Sequence, residues 1–211
     1  MSHDDFEIEP VPGLPELPPE GERILWQGKP AWWALARESL NIYWVMGYFV
    51  LLGAWRSVSL AEFQPLGVAL WGAVPFLILG LIACAILALI AWVMAWATVY
   101  TITNRRVAMR IGAALNVTLN LPYRWIGSVD LDLRKAGSGT IALDLVDDGV
   151  TKLSYLTCWP HVRPWKMNPT QPALRCIKDA EHVAGILGEA ARTQVATTRS
   201  ETPMAGAVPA E

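Results

Sequence analysis

Polar and apolar positions change rhythm three times along this chain of 211 residues. Up to residue 19, Asp4, Asp5, Glu7, Glu9 and Glu16 stand among five prolines, with too few apolar residues to build a core. Residues 1–20 are therefore expected to be an extended, acidic, Pro-rich arm. No basic stretch followed by an apolar run occurs within the arm, so a cleaved signal peptide is not expected there and later spans must direct insertion. In the segment GERILWQGKP (21–30), Ile24 and Trp26 fall on one face and Arg23, Leu25 and Gln27 on the other, which predicts a short strand. Trp32, Trp33 and Arg37 follow as an interfacial approach to a bilayer, completing a unit over 21–40.

The second rhythm is a transmembrane region over residues 41–99. Residues 42–55 are fourteen without charge, and Arg56 lies near enough to an end for its stem to snorkel towards water. Residues 56–65 then read as the far-side turn. Residues 66–99 are thirty-four in succession without an ionisable Asp, Glu, Lys, Arg or His. A hydrocarbon core of roughly 30 Å takes about 20 helical residues, and two spans with a turn take about 40. Pro75 either kinks one long tilted helix or separates two short ones. Two spans with both termini cytoplasmic are favoured over three with the arm outside. Trp92, Trp96 and Tyr100 near the exit, followed by Arg105, Arg106 and Arg110, mark the C-terminal side as cytoplasmic.

Beyond residue 99 the period becomes two. Residues 99–103 and 107–111 flank a polar turn, as in a hairpin, and Val117, Leu119 and Leu121 alternate with polar neighbours. Val129, Leu131 and Leu133 do the same, Gly137 to Gly139 turns the chain, and Ile141, Leu143 and Leu145 return. Asp147, Asp148 and Gly149 form another turn, and residues 150–156 another strand. From Leu174 an apolar stripe of helical spacing runs through Ile177, Ala180, Val183, Ile186, Leu187 and Ala190. Residues 100–191 thus form one domain, a small barrel or two packed sheets, and residues 192–211 a disordered tail.

Composition sharpens this reading. The chain is 53% hydrophobic and 17% charged, with eleven Trp against four Phe, as expected of one membrane protein with room for one modest folded domain. The net charge of −2 conceals a polarity: residues 1–41 hold eight acids and three bases, residues 100–190 eleven bases and eight acids. Cys84, Cys158 and Cys176 are widely spaced without a CxxC pair, which points to a reducing compartment and no structural zinc.

GERILWQGKP before a membrane hairpin, then YTITNRR, LPYRWIGSVDL and GSGTIAL, resemble the bacterial pleckstrin-homology-like (YdbS-like) membrane family. The front segment EPVPGLPELPPEGERILWQGKP and the back segment QPALRCIKDAEHVAGILGEAA further resemble the photosynthetic-complex assembly proteins of purple bacteria. The resemblance implies a membrane α-helical hairpin plus an α+β domain, a pleckstrin-homology-like antiparallel barrel capped by a C-terminal amphipathic helix. It implies a non-enzymatic assembly factor, a homodimer in the cytoplasmic or intracytoplasmic membrane. The implied partners are reaction-centre subunits, core antenna polypeptides and membrane lipids, with no nucleic acid. The alternative is a membrane-anchored protein of the same fold that binds lipid headgroups or other membrane proteins without a photosynthetic client.

No HExxH, GxSxG, Walker loop or dinucleotide-binding pattern occurs, so neither a catalytic constellation nor a cofactor or metal site is expected. Neither span contains a His to ligate a pigment axially. The segment WPHVRPW, comprising Trp159, Pro160, His161, Arg163, Pro164 and Trp165 around Val162, reads as a loop. Exposed Trp and Arg on a Pro-stiffened loop offer partner contact at low ordering cost; the plainer reading places the rings beneath the terminal helix. Arg105, Arg106 and Arg110 are expected either to set topology or to grip lipid headgroups.

Overall fold

The structure is a computed structural model that describes residues 13, 14, 16–112, 117–134, 137–146 and 153–201, with side chains to residue 194. It divides into two compact units: residues 30–96, and a domain built from the segment up to residue 29 together with residues 97 onward.

The first unit is helical. A short helix α1 (Trp32–Glu38) precedes α2 (Ile42–Ala61), α3 (Leu66–Trp71) and α4 (Val74–Ala97). Two stretches, Ile42–Ala61 and Leu66–Ala97, are long and apolar enough to cross a membrane, and few of their residues are buried within the protein. At 1.5 Å per residue, α2 measures about 30 Å and α4 about 36 Å, whereas α3 reaches only about 9 Å. The surplus apolar residues therefore do not make a third span. The break falls at Gly72 and Ala73, and Pro75 sits in the first turn of α4, where its missing N–H is no loss. It neither kinks a helix interior nor separates two spans. Gly80 of α4 lets α2 come close: a Cβ there would lie 2.7 Å from Cβ of Phe49. The Cys84 thiol, 3.7 Å from the carbonyl oxygen of Ile42, belongs to the same contact.

Among the described residues the second unit has eight strands in two antiparallel four-stranded sheets. The first has the order β1-β2-β3-β4, from β1 (Ile24–Gly28), β2 (Val99–Thr103), β3 (Arg106–Ile111) and β4 (Val117–Pro122). The second has the order β5-β6-β8-β7, from β5 (Ile126–Leu133), β6 (Gly139–Leu145), β7 (Val162–Met167) and β8 (Thr170–Ile177). The GERILWQGKP strand does pair as its alternation suggests: Ile24 lies opposite Thr103 and Gly28 opposite Tyr100. The two sheets share one core, where Tyr100, Ile102, Met109 and Leu121 meet Ile141, Leu143, Leu174 and Val162. Helix α6 (Ala180–Glu201) lies against β1, β5, β6 and the 3-10 turn Tyr123–Trp125. Its buried stripe is Ala180, Val183, Leu187 and Ala190.

Five further expectations are corrected. Leu174 and Ile177 belong to β8, not to the terminal helix. Every residue of β8 after Thr170 is buried, so no alternation marks it, and two apolar residues three apart imitate a helix. The strand expected over 150–156 has residues 150–152 outside the described set, and Tyr155–Cys158 form one helical turn, α5. The Asp147–Gly149 turn also lies outside it. The tail expected from residue 192 is still helical to Glu201. WPHVRPW is not a loop throughout, since its second half forms β7. At the other end of the chain the acidic arm does not stay wholly extended in solvent: Leu14 is buried, and Gly13, at φ +87°, packs on Val99.

Candidate functional site

The corner where β1 meets β2 is built by Thr103, Asn104 and Arg106. The Thr103 hydroxyl accepts the N–H groups of Arg105 and Arg106 at 3.1 and 3.0 Å and so tightens the hairpin turn. Asn104 does the work of a further backbone rung: its Oδ1 accepts the N–H of Arg23 at 2.8 Å and its amide donates to the carbonyl of Gly21 at 2.9 Å. Arg106 forms a bidentate pair with Glu22, Nε to Oε1 at 2.9 Å and Nη2 to Oε2 at 3.2 Å. The Glu22 side chain is only 2% exposed, so this is an internal clasp. Arg106 is thereby committed to the fold and is not offered to a headgroup. Arg105 is exposed in the turn, and Arg110 is half-buried farther along β3. Below the corner the Tyr123 hydroxyl donates to the carbonyl of Thr103 at 2.6 Å. Burial, and secondarily the Glu22 charge, raises its pKa well above the ordinary tyrosine value.

WPHVRPW divides into a buried half and an exposed half. Pro160, His161 and Val162 are buried, His161 to 1% exposure. The Tyr100 hydroxyl lies 2.6 Å from Nδ1 of His161 and the Thr98 hydroxyl 3.0 Å from Nε2. Tyr100 also accepts the backbone N–H of Arg175 at 3.3 Å. Its proton is then directed at Nδ1, which assigns the neutral tautomer with the proton on Nε2, donated to Thr98. Burial, with help from the Arg175 charge, pulls the imidazole pKa down to about 3. His161 is thus a neutral lock between the two sheets, and neither it nor Pro160 presents a surface to a partner.

The exposed half differs. Trp165 is 91% exposed and sits at φ +62°, in the left-handed region that a bulky residue rarely occupies. Such strain is of order 1–3 kcal/mol and is characteristic of binding surfaces. Pro164 beside it is exposed, and Trp159 at 39%, Leu156 at 83% and Met167 at 63% extend the apolar character along α5 and the edge strand β7. The rings are not beneath α6. Arg163 is held in a side-chain chain in which its Nη1 donates to Asp130 and, at 3.1 Å, to Gln171, whose amide in turn donates to Asp144.

Sequence reasoning missed Arg175. It stands in β8, 4% exposed, within a run that reads as helix, and only its register opposite the outer face of β6 could have drawn attention to it. It lines a cleft of about 500 Å³ with Asp130, Asp132, Arg134, Thr140 and Arg163. Among the described residues no cluster of three or more His, Cys, Asp or Glu is arranged to hold a metal ion.

Comparison with known proteins gives two matches. The bacterial PH domain family, bPH_2, matches residues 49–191. A Rhodobacter capsulatus protein named "Uncharacterized 23.7 kDa protein in puhA 5'region" is 46% identical over 197 residues, which covers 92% of this chain and 91% of that protein. No solved structure matches.

Proposed function

The chain belongs to the bacterial PH domain family, and from that membership we propose that it is a membrane-anchored, non-enzymatic assembly factor of the PuhB type for the purple-bacterial reaction centre and core light-harvesting complex. The observation that carries this is near-full-length similarity, at 46% identity, to a protein encoded in the puhA 5' region. It agrees with the resemblance of the two end segments to photosynthetic assembly proteins. The proposed mechanism is binding. The Trp165 edge, a large ring held out on a Pro-flanked strand, supports a role in contacting client polypeptides, because aromatic anchors of this kind gain contact area with little side-chain entropy to lose. The proposed partners are reaction-centre subunits, core antenna polypeptides, lipids and a second copy of the chain.

The topology we propose follows from strand pairing. β1 precedes the apolar helices in sequence and β2 follows them, yet both lie in one sheet. That supports an even number of crossings. Lys29 and Arg37 before the helices and Arg105 to Arg110 after them favour the cytoplasmic side for both ends. The functional test is deletion of the gene followed by near-infrared absorbance of the membranes. Weakened reaction-centre and antenna bands, restored by the full chain, are expected; unchanged bands would favour a lipid-directed role without a photosynthetic client.

A further inference from the structure

Helix α2 uses one face inside its own hairpin and leaves the opposite one bare. The inward face holds Phe49, which meets Gly80, and Gly53, where an added Cβ would lie 3.3 Å from Cβ of Ala73. The outward face is a stripe of Trp44, Tyr48, Leu51, Trp55 and Val58, alternately four and three residues apart and between 57% and 81% exposed. That spacing is the seam by which one helix packs along another. Leu51 and Val58 suit lipid tails, and the two indoles lie towards the helix ends. Tyr48 suits neither place, since its hydroxyl has no hydrogen-bond partner among the described residues. Cys84 of α4 is level with Ile42, where α2 begins. From Cys84 to Ala97 α4 continues thirteen residues, about 20 Å, with Ile86, Leu89 and Ile90 exposed. The apolar zone therefore extends past the start of α2, and Tyr48, six residues or about 9 Å further along, lies well inside it. A phenol there loses water without gaining a partner, which hydrocarbon does not repay.

We propose that this stripe is the docking face for a transmembrane helix of another polypeptide, one that presents small residues to the ridge of rings and a hydrogen-bond acceptor to Tyr48. The small residues follow from shape: two indoles and a phenol protrude from one side of α2, and rings of that size pack into a groove. The acceptor, such as a Ser or Thr hydroxyl or an imidazole, follows from the phenol proton that the chain leaves without a partner. A second copy fits poorly. Its α2, inserted in the same sense, would set each ring against its own counterpart, and the small residues Gly80, Ala91 and Ala95 of α4 are already buried. The inference deepens the proposed assembly role and rests on it only for which polypeptide carries the docking helix.

The test places the photo-crosslinking amino acid p-benzoylphenylalanine at Leu51 of the full chain in its native membranes, and separately at Ile82, exposed on α4, for comparison. Adducts are identified by peptide mass spectrometry. Position 51 should give a discrete adduct to a transmembrane segment of one other polypeptide, and position 82 little or none. Tyr48→Phe removes only the exposed hydroxyl, so immunoblotting should find the chain at its normal level. The adduct at position 51 should nevertheless fall about threefold or more, the loss of one hydrogen bond between helices. An adduct to a polypeptide outside the photosynthetic complexes would uphold the docking face and count against the assembly role. Adducts to lipid alone, adducts to a second copy alone, equal polypeptide adducts at both positions, or a yield unaffected by Tyr48→Phe would each overturn the proposal. The deletion phenotype would then still decide the assembly role.

Discussion

Acidification should loosen the domain through His161. The imidazole pKa is about 3 in the folded protein and about 6.5 when unfolded. Between those values the unfolded chain binds a proton that the folded chain refuses, so stability rises with pH across that window and falls as pH is lowered through it. Integrating from about pH 7.5 to about pH 5 gives a loss of roughly 2 kcal/mol, and the full window is worth at most about 5 kcal/mol. The replacement His161→Gln retains an acceptor for Tyr100 and a donor for Thr98 but cannot titrate. Urea unfolding of the full chain in micelles reports both proteins, with pulsed thiol labelling of the buried Cys158 and Cys176 normalised at each pH to the unfolded chain. The native chain should lose roughly 2 kcal/mol over that interval and the Gln variant far less. Equal losses in the two would refute the assignment of His161 as a buried neutral group.

Trp165→Ala combined with Leu156→Ala should change stability by no more than about 0.5 kcal/mol, since both side chains are solvent-exposed. Immunoblotting should find normal amounts of the variant while reaction-centre absorbance falls; normal absorbance would remove this edge from the binding mechanism. Glu22→Gln should cost roughly 1–3 kcal/mol by leaving Arg106 without its charged partner, and amide exchange in β1 should accelerate more than in β8. Cysteines placed at Glu20 and at Lys178, both exposed, should react with an impermeant maleimide in the same preparation, inverted vesicles, whereas one at Glu62 should react only in spheroplasts. Opposite sidedness of positions 20 and 178 would break the even-crossing topology.

The apolar helices and the β2–β3 hairpin were legible because their patterns meet simple boundaries: an uninterrupted uncharged run for the helices, and alternation around a Thr-Asn-Arg turn for the hairpin. β1 was legible for the same reason, although its pairing partner lies beyond the apolar segment. β8 was hidden because it is buried on both faces and so lacks alternation. β5 alternates in sequence, yet Val129, Leu131 and Leu133 remain 38–47% exposed, since an edge strand at this position has only partial cover. Within the candidate site, WPHVRPW drew notice by composition, but composition could not separate the buried His161 from the exposed Trp165. That division is set by which residues enter β7 and by the long-range partners Thr98 and Tyr100. Arg175 was invisible for a related reason: a buried charge is defined by the partners it lacks, and those are known only when the strands are paired.

The assembly role is tested most directly by following newly made reaction-centre polypeptides in a strain lacking this chain. Pulse-labelled subunits would be traced into pigment-bound complex, alongside their rate of synthesis. The account predicts ordinary synthesis, slower arrival in pigment-bound complex and faster turnover of the unassembled subunits, all restored by the full chain. Ordinary synthesis with an unchanged rate of arrival would contradict it.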